Sequence, residues 1–134
     1  IDFGNYDTPI EDMCGSCTLC ISACPTGAIE SEYVVNANKC ISYQTIENRG
    51  DIPTEINLDG WIFGCDVCQD VCPYNSPKYN HVTEEKGFYP KSEILPLTKE
   101  GAIEFTEEQF AEVFANSPVK RTKFSGWKRN LERF

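Results

Sequence analysis

Eight cysteines in a chain of 134 residues, all between positions 14 and 72, constrain this sequence more than any other feature. The first four form Cys14-Gly-Ser-Cys17-Thr-Leu-Cys20-Ile-Ser-Ala-Cys24-Pro25. A second run, Cys65-Asp-Val-Cys68-Gln-Asp-Val-Cys72-Pro73, repeats that pattern with one cysteine missing. Cys40, far upstream of the second run, supplies the eighth thiol. Such a density of sulfur leaves disulfides, zinc or iron–sulfur chemistry to choose between.

The spacing favours iron and sulfur. C-x2-C-x2-C-x3-C-P is the ligand run of bacterial two-cluster ferredoxins. Three thiolates spaced by two residues on one tight turn reach three iron corners of a single cube. The fourth is carried away along the following helix, and the proline turns the chain, so it serves the other cube. The near-repeat supplies the reciprocal set. The expected ligands of one [4Fe–4S] cluster are therefore Cys14, Cys17, Cys20 and Cys72. Those of the other are Cys24, Cys40, Cys65 and Cys68. Structural zinc prefers separated C-x2-C knuckles and fits the four-cysteine run poorly. A disulfide framework needs an oxidising compartment, and no signal peptide is visible in the acidic, Gly- and Pro-broken residues 1–13. A single cluster with four spare cysteines is the remaining competitor. Ligation should replace apolar core that residues 14–75 lack, so much of their folding free energy should come from the metal.

Charge divides the chain. The net charge is −9. Residues 120–134 hold six basic side chains and one acid, a net +5, which leaves −14 for everything before them. The body should repel nucleic acid, while the tail could attract it. No apolar run approaches the ~20 residues of a membrane span. The chain opens on Ile1 and its only methionine is Met13, so it reads as a piece of something longer.

The pattern predicts an α+β fold, ferredoxin-like around two clusters, with a helical C-terminal extension. Residues 1–13 read as a linker, 14–75 as the cluster domain and 76–134 as a wrapping segment followed by helices with a basic tail. Tyr33-Val34-Val35 predicts a short strand. Asn38 is placed to cap a helix from Lys39 to Glu47, with Gly50 ending it. Residues 76–105 show little periodicity and should wrap the surface. Thr106-Glu107-Glu108-Gln109 is a capping box before the apolar positions Phe110, Val113 and Phe114. A last helix from near Ser125 should bury Trp127, Leu131 and Phe134. Trp61, Phe63 and Tyr43 are candidates to shield the second cluster from water. His81, alone in a polar loop, reads as surface.

The 24 residues between Cys40 and Cys65 separate this chain from a plain ferredoxin, which keeps these two cysteines close. Four stretches, CGSCTLCISACPTGAI (14–29), KCISYQTIENRGDIP (39–53), GWIFGCDVCQDVCPYN (60–75) and SPVKRTKFSGWKRN (117–130), closely resemble epoxyqueuosine reductase. The resemblance implies a cytoplasmic, monomeric oxidoreductase, without membrane attachment, that removes the epoxide oxygen in the last step of queuosine synthesis on tRNA. It also implies cobalamin, held mainly by an N-terminal domain upstream of Ile1 that supplies an acidic proton donor. The two clusters would pass electrons to the cobalt from a flavodoxin or ferredoxin system. Such a fragment should carry electrons without reducing epoxyqueuosine by itself. A free-standing two-cluster carrier and a fragment of a reductive dehalogenase-like enzyme are the alternatives.

By the same resemblance, Ser42, Cys65 and Asp66 should lie on the cobalamin side. Arg49, Lys120, Arg121 and Lys123 should lie toward the tRNA. Each has a plainer reading. Ser42 could be a helix-surface hydroxyl, Asp66 a solvated acid, and Arg49 a charge answering a helix C-terminus. The basic tail could be a solubilising face docked by Trp127.

Overall fold

A computed structural model describes residues 4, 6–79, 81–92, 94 and 96–134. The expected linker over 1–13 therefore lies partly outside the described residues. Tyr33, at φ +60°, turns the chain between two short antiparallel strands, β1 (Ile29–Ser31) and β2 (Val34–Val35). Ile29 faces Val35 and Ser31 faces Val34. Tyr33 is thus the turn residue of a hairpin, one position before the strand proper.

Before this hairpin lies helix α1 (Leu19–Ala23), and after it α2 (Ile41–Ile46). Asn36, not Asn38, is the capping residue: its side chain accepts from the Asn38 N–H and opens a 3₁₀ turn over Ala37–Lys39. Cys40 then adopts an extended conformation (φ −72°, ψ 122°) at the N-cap of α2. The expected continuous helix is therefore two pieces, broken at the cysteine. Helix α3 (Val67–Asp70) lies within the second cysteine run and packs against α1.

The wrapping segment contains one helix the periodicity did not reveal, α4 (Lys99–Ile103), capped by the Thr98 hydroxyl on the Gly101 N–H. Helix α5 (Glu107–Val113) starts on the expected capping box, with both reciprocal bonds made by Thr106 and Gln109. Helix α6 (Lys123–Arg133) begins two residues earlier than Ser125. Among the described residues, no helix is long and apolar enough to cross a membrane.

Two apolar cores hold these elements. The larger joins Ala102, Phe110, Phe114, Trp127 and Leu131, with Ile62, Leu97, Phe105 and Phe124 around them. Its rings meet tilted, Phe114 and Trp127 with centroids 5.0 Å apart and Phe110 and Phe114 5.1 Å apart, the arrangement favoured by aromatic quadrupoles. The smaller core is Ile41, Ile52, Ile56 and Leu58, with Trp61 and Cys65 packed on it. Phe134 departs from the expected apolar stripe. It is 44% exposed, and the Lys99 ammonium sits 4.9 Å from its ring centre.

Candidate metal centre

The local backbone places the cysteines through turns and breaks. Gly15 takes φ +52°, and the Cys17 N–H closes on the Cys14 carbonyl at 3.0 Å, which folds the first two thiols onto one turn. Helix α1 carries Cys20 and stops at Cys24, whose backbone is extended (φ −62°, ψ 114°). Pro25 enforces that stop, because a residue before proline is pushed out of the helical region. The second run behaves the same way. Helix α3 carries Cys68 and is followed by Cys72 at φ −71°, ψ 124°, next to Pro73. The sequence near-repeat is therefore a near-repeat of backbone geometry.

These turns gather the thiols into two foursomes. Cys14, Cys17, Cys20 and Cys72 line a cavity of about 550 Å³ with Met13, Leu19, Tyr74 and Tyr79 at its walls. Cys24, Cys40, Cys65 and Cys68 line a tighter one of about 240 Å³, walled by Pro25, Ala28, Ile29, Val35 and Ile41. Cys68 borders both. The wider cavity is therefore lined by five cysteines and the tighter one by four.

Electrostatics repeats the division. Partial desolvation pushes the Cys14 thiol up, and Asp12, Cys72, Cys20 and Cys17 add to that by charge repulsion. Burial pushes Cys65 up, with Cys68, Cys40 and Cys24 adding, although the Val67 N–H opposes it. Cys24 differs. Burial raises it, but the N–H groups of Ile29, Thr26 and Ala28 outweigh that and hold it below an ordinary thiol. The Ala28 N–H lies 3.2 Å from Cys24 Sγ. A backbone donor aimed at sulfur favours the thiolate, the form that binds metal.

All eight thiols are free. Among the described residues, no three His, Cys, Asp or Glu side chains could hold one metal ion. The donor set, thiols only in mostly apolar walls, has the chemistry of an iron–sulfur site.

The other candidate residues divide by location. Ser42 is half-buried on α2, and Asp66 is exposed at the start of α3, beside Cys65 in the tighter cavity. Trp61 and Cys65 both pack on the Ile41 core, whereas the cavity walls themselves are mostly aliphatic. His81 is exposed. Arg49, Lys120, Arg121 and Lys123 are all exposed. Arg49 donates to the carbonyls of Ile46 (2.8 Å) and Arg121 (2.8 Å), and Arg121 pairs with Glu47. Among the described residues, Lys120 and Lys123 make no ion pair.

Sequence reasoning missed how the tail attaches. Helix α2 ends with carbonyls that lack helical partners. Arg129 donates to those of Gln44 (2.7 Å), Asn48 (2.9 Å) and Gly50. Arg133 donates to Ile56 (2.8 Å). Asn130, fully buried, donates to Thr45 (2.8 Å) and Ile62 (2.8 Å). One signal was available: Asn130 lies on the same helical stripe as Trp127 and Leu131, an amide among apolar neighbours.

Comparison with known proteins places this geometry. Residues 13–75 match the family described as "4Fe-4S double cluster binding domain". Over 129 residues the chain is 51% identical to an epoxyqueuosine reductase of Cellulophaga algicola, covering 95% of this chain and 42% of that protein. This chain is a homologue of epoxyqueuosine reductase. The enzyme of that name from Escherichia coli is 42% identical over 130 residues, with 93% of this chain and 33% of the relative covered. A crystal structure of selenomethionine-labelled epoxyqueuosine reductase superposes with a TM-score of 0.83 at 36% identity, over 96% of this chain and 34% of that one. Another, solved with an epoxyqueuosine-modified tRNA-Tyr stem loop, gives 0.75 at 34% identity over 96% and 34%. The chain thus spans about two fifths or less of the length of these oxidoreductases, and the resemblance read from its motifs holds along nearly all of it.

Proposed function

We propose that this chain is the electron-transferring, iron–sulfur part of an epoxyqueuosine reductase. The observation that carries the proposal is the pair of cysteine-lined cavities, each drawing thiols from both cysteine runs, in a chain half identical to a named reductase. Cys14, Cys17, Cys20 and Cys72 hold one [4Fe–4S] cluster in a ferredoxin-like arrangement, and Cys24, Cys40, Cys65 and Cys68 hold the other. Opening an epoxide to an alkene with loss of its oxygen as water consumes two electrons and two protons. Two single-electron carriers side by side meet that demand. Cobalamin, when bound, supplies the reactive metal for the substrate. Ser42 and the Cys65–Asp66 segment form the face toward it, because Ser42 and Asp66 directly follow Ile41 and Cys65, which line the tighter cavity. The aliphatic walls there keep water from the cluster, which lowers the dielectric around it and tunes its potential.

The tRNA of this reaction meets the exposed face carrying Arg49, Lys120, Arg121 and Lys123. Phosphate contact there is electrostatic and should fall with salt. Lys120 and Lys123 are the cleaner test pair, since Arg121 also serves Glu47. In the full-length enzyme, Lys120→Glu with Lys123→Glu should weaken tRNA binding and flatten its salt dependence. Unchanged affinity and slope would remove the tRNA face.

The central test is iron and acid-labile sulfide quantitation, with EPR, on anaerobically purified protein. Near eight irons per chain and two reducible cubane signals are expected. Two zinc ions per chain, or four irons, would overturn the reading.

A further inference from the structure

The tighter foursome draws two of its thiols from parts of the chain far apart in sequence. Cys40 caps α2, and Cys65 follows the loop 58–64, with the long insert between them. What sets their separation is a small polar hub. Thr45, fully buried, donates its hydroxyl to the Ile41 carbonyl at 2.8 Å and accepts from the Gly64 N–H at 3.0 Å. Gly64 is the residue before Cys65. The Thr45 carbonyl in turn accepts from the Thr122 hydroxyl (2.7 Å) and from Asn130 Nδ2 (2.8 Å). The same Asn130 amide reaches the Ile62 carbonyl at 2.8 Å. Helix α6 therefore grips both the helix that begins at Cys40 and the loop that ends at Cys65.

The hub is built tightly. Thr45, Thr122 and Asn130 are each at most 1% exposed, and among the described residues no buried side-chain polar atom lacks a partner. Gly126 completes it. A Cβ there would stand 2.7 Å from Thr122 Oγ1, so glycine is what allows the hydroxyl its position. Arg129 donates to the Asn130 side-chain Oδ1 at 2.9 Å, which fixes the amide with its nitrogen toward Thr45 and Ile62. Apolar packing would tolerate sliding of α2 against the loop, whereas hydrogen bonds with buried partners tolerate little.

We infer that Thr45, Thr122 and Asn130 are positioning residues for the cluster bound by Cys24, Cys40, Cys65 and Cys68. They fix the span between Cys40 and Cys65 from outside the ligand set. This rests on the two-cluster reading proposed above. Groups that orient metal ligands without touching the metal commonly change affinity 10–100-fold when lost.

The test uses the anaerobic, cluster-loaded protein. Cys14→Ser and Cys65→Ser first assign each EPR signal to its foursome. Thr45→Val keeps the shape and removes the hydroxyl, and Asn130→Asp removes the amide donor. Each should shift the midpoint potential and line shape of the Cys65-assigned signal and leave the Cys14-assigned one in place. Retention of that cluster's iron against a chelator should weaken about 10-fold. Thr45→Ser, which keeps the hydroxyl, should restore all three readouts. Thr122→Val removes a single bond and serves if either larger change prevents folding. Equal shifts in both signals, or no shift in protein that carries eight irons, would overturn the inference. Fewer than eight irons in unaltered protein would instead overturn the two-cluster reading, and the inference with it.

Discussion

The cysteine-bearing layer and the C-terminal helical layer solve the problem of order in opposite ways. Helices α1 and α3, which carry Cys20 and Cys68, bury no side chain fully. Helices α5 and α6 bury Phe110, Trp127, Asn130 and Leu131. Five-residue and four-residue helices without a buried face are far too short to persist by propensity. On the two-cluster proposal, the first layer should depend on sulfur ligation for its stability, and the second depends on removal of aromatic surface from water. One chain would then hold a part ordered by its metal and a part that offers it a fixed platform.

Removing the metal gives the largest expected effect. Chelation under air should abolish hydrogen-exchange protection across residues 14–40 and 65–75, while α5 and α6 stay protected. Helix α2 is the boundary, since the Thr45 hub ties it to α6. Protection lost everywhere at once would merge the two layers into one cooperative unit and break the comparison. Protection kept in α1 and α3 would deny that ligation orders them.

The converse experiment attacks the platform. Trp127 is 5% exposed, stacks against Phe110 and Phe114, and donates to the Ala102 carbonyl at 3.4 Å. Trp127→Ala should cost about 3–5 kcal/mol, as for other large aromatic truncations in cores. Denaturant titration followed by circular dichroism should show the helical transition moved to lower denaturant. The folded fraction should keep its iron count. A loss of iron in step with helix would mean the clusters need the platform to be held at all.

The contrast also explains what the sequence made legible. Cysteine spacing is a local pattern, within runs of a dozen residues, so a ligand set could be proposed before any fold was known, with Cys40 as the one member outside both runs. The capping box at Thr106 was legible for the same reason. Helix α4 was not, because five residues are too few to show a period, and its hold comes from Thr98 and from Trp127 on a distant helix. The attachment of the tail was hidden on different grounds. A run of Lys and Arg reads as a charged face, yet Arg129 and Arg133 spend their donors on backbone carbonyls about 80 residues away. Only the folded chain shows where α2 ends and what answers its open carbonyls.

The seam between the layers predicts the smallest effect. Glu47, at the end of α2, pairs with Arg121, just before α6. The Arg121 hydrogen bond, and then its charge, holds the Glu47 carboxyl below the ordinary glutamate range. A depressed carboxylate stabilises the folded state above its unfolded pKa, and the contribution is lost as pH falls through the lower folded value. The pair is exposed, so salt should screen it and its share of stability should be slight. Carbon-detected NMR titration should find Glu47 titrating below the ordinary glutamate range, and moving back toward it in Arg121→Ala or at high salt. An ordinary value in the unaltered protein would mean that the charge pair does not join the layers, and that the seam rests on the hydrogen bonds of Arg49, Thr122, Arg129, Asn130 and Arg133.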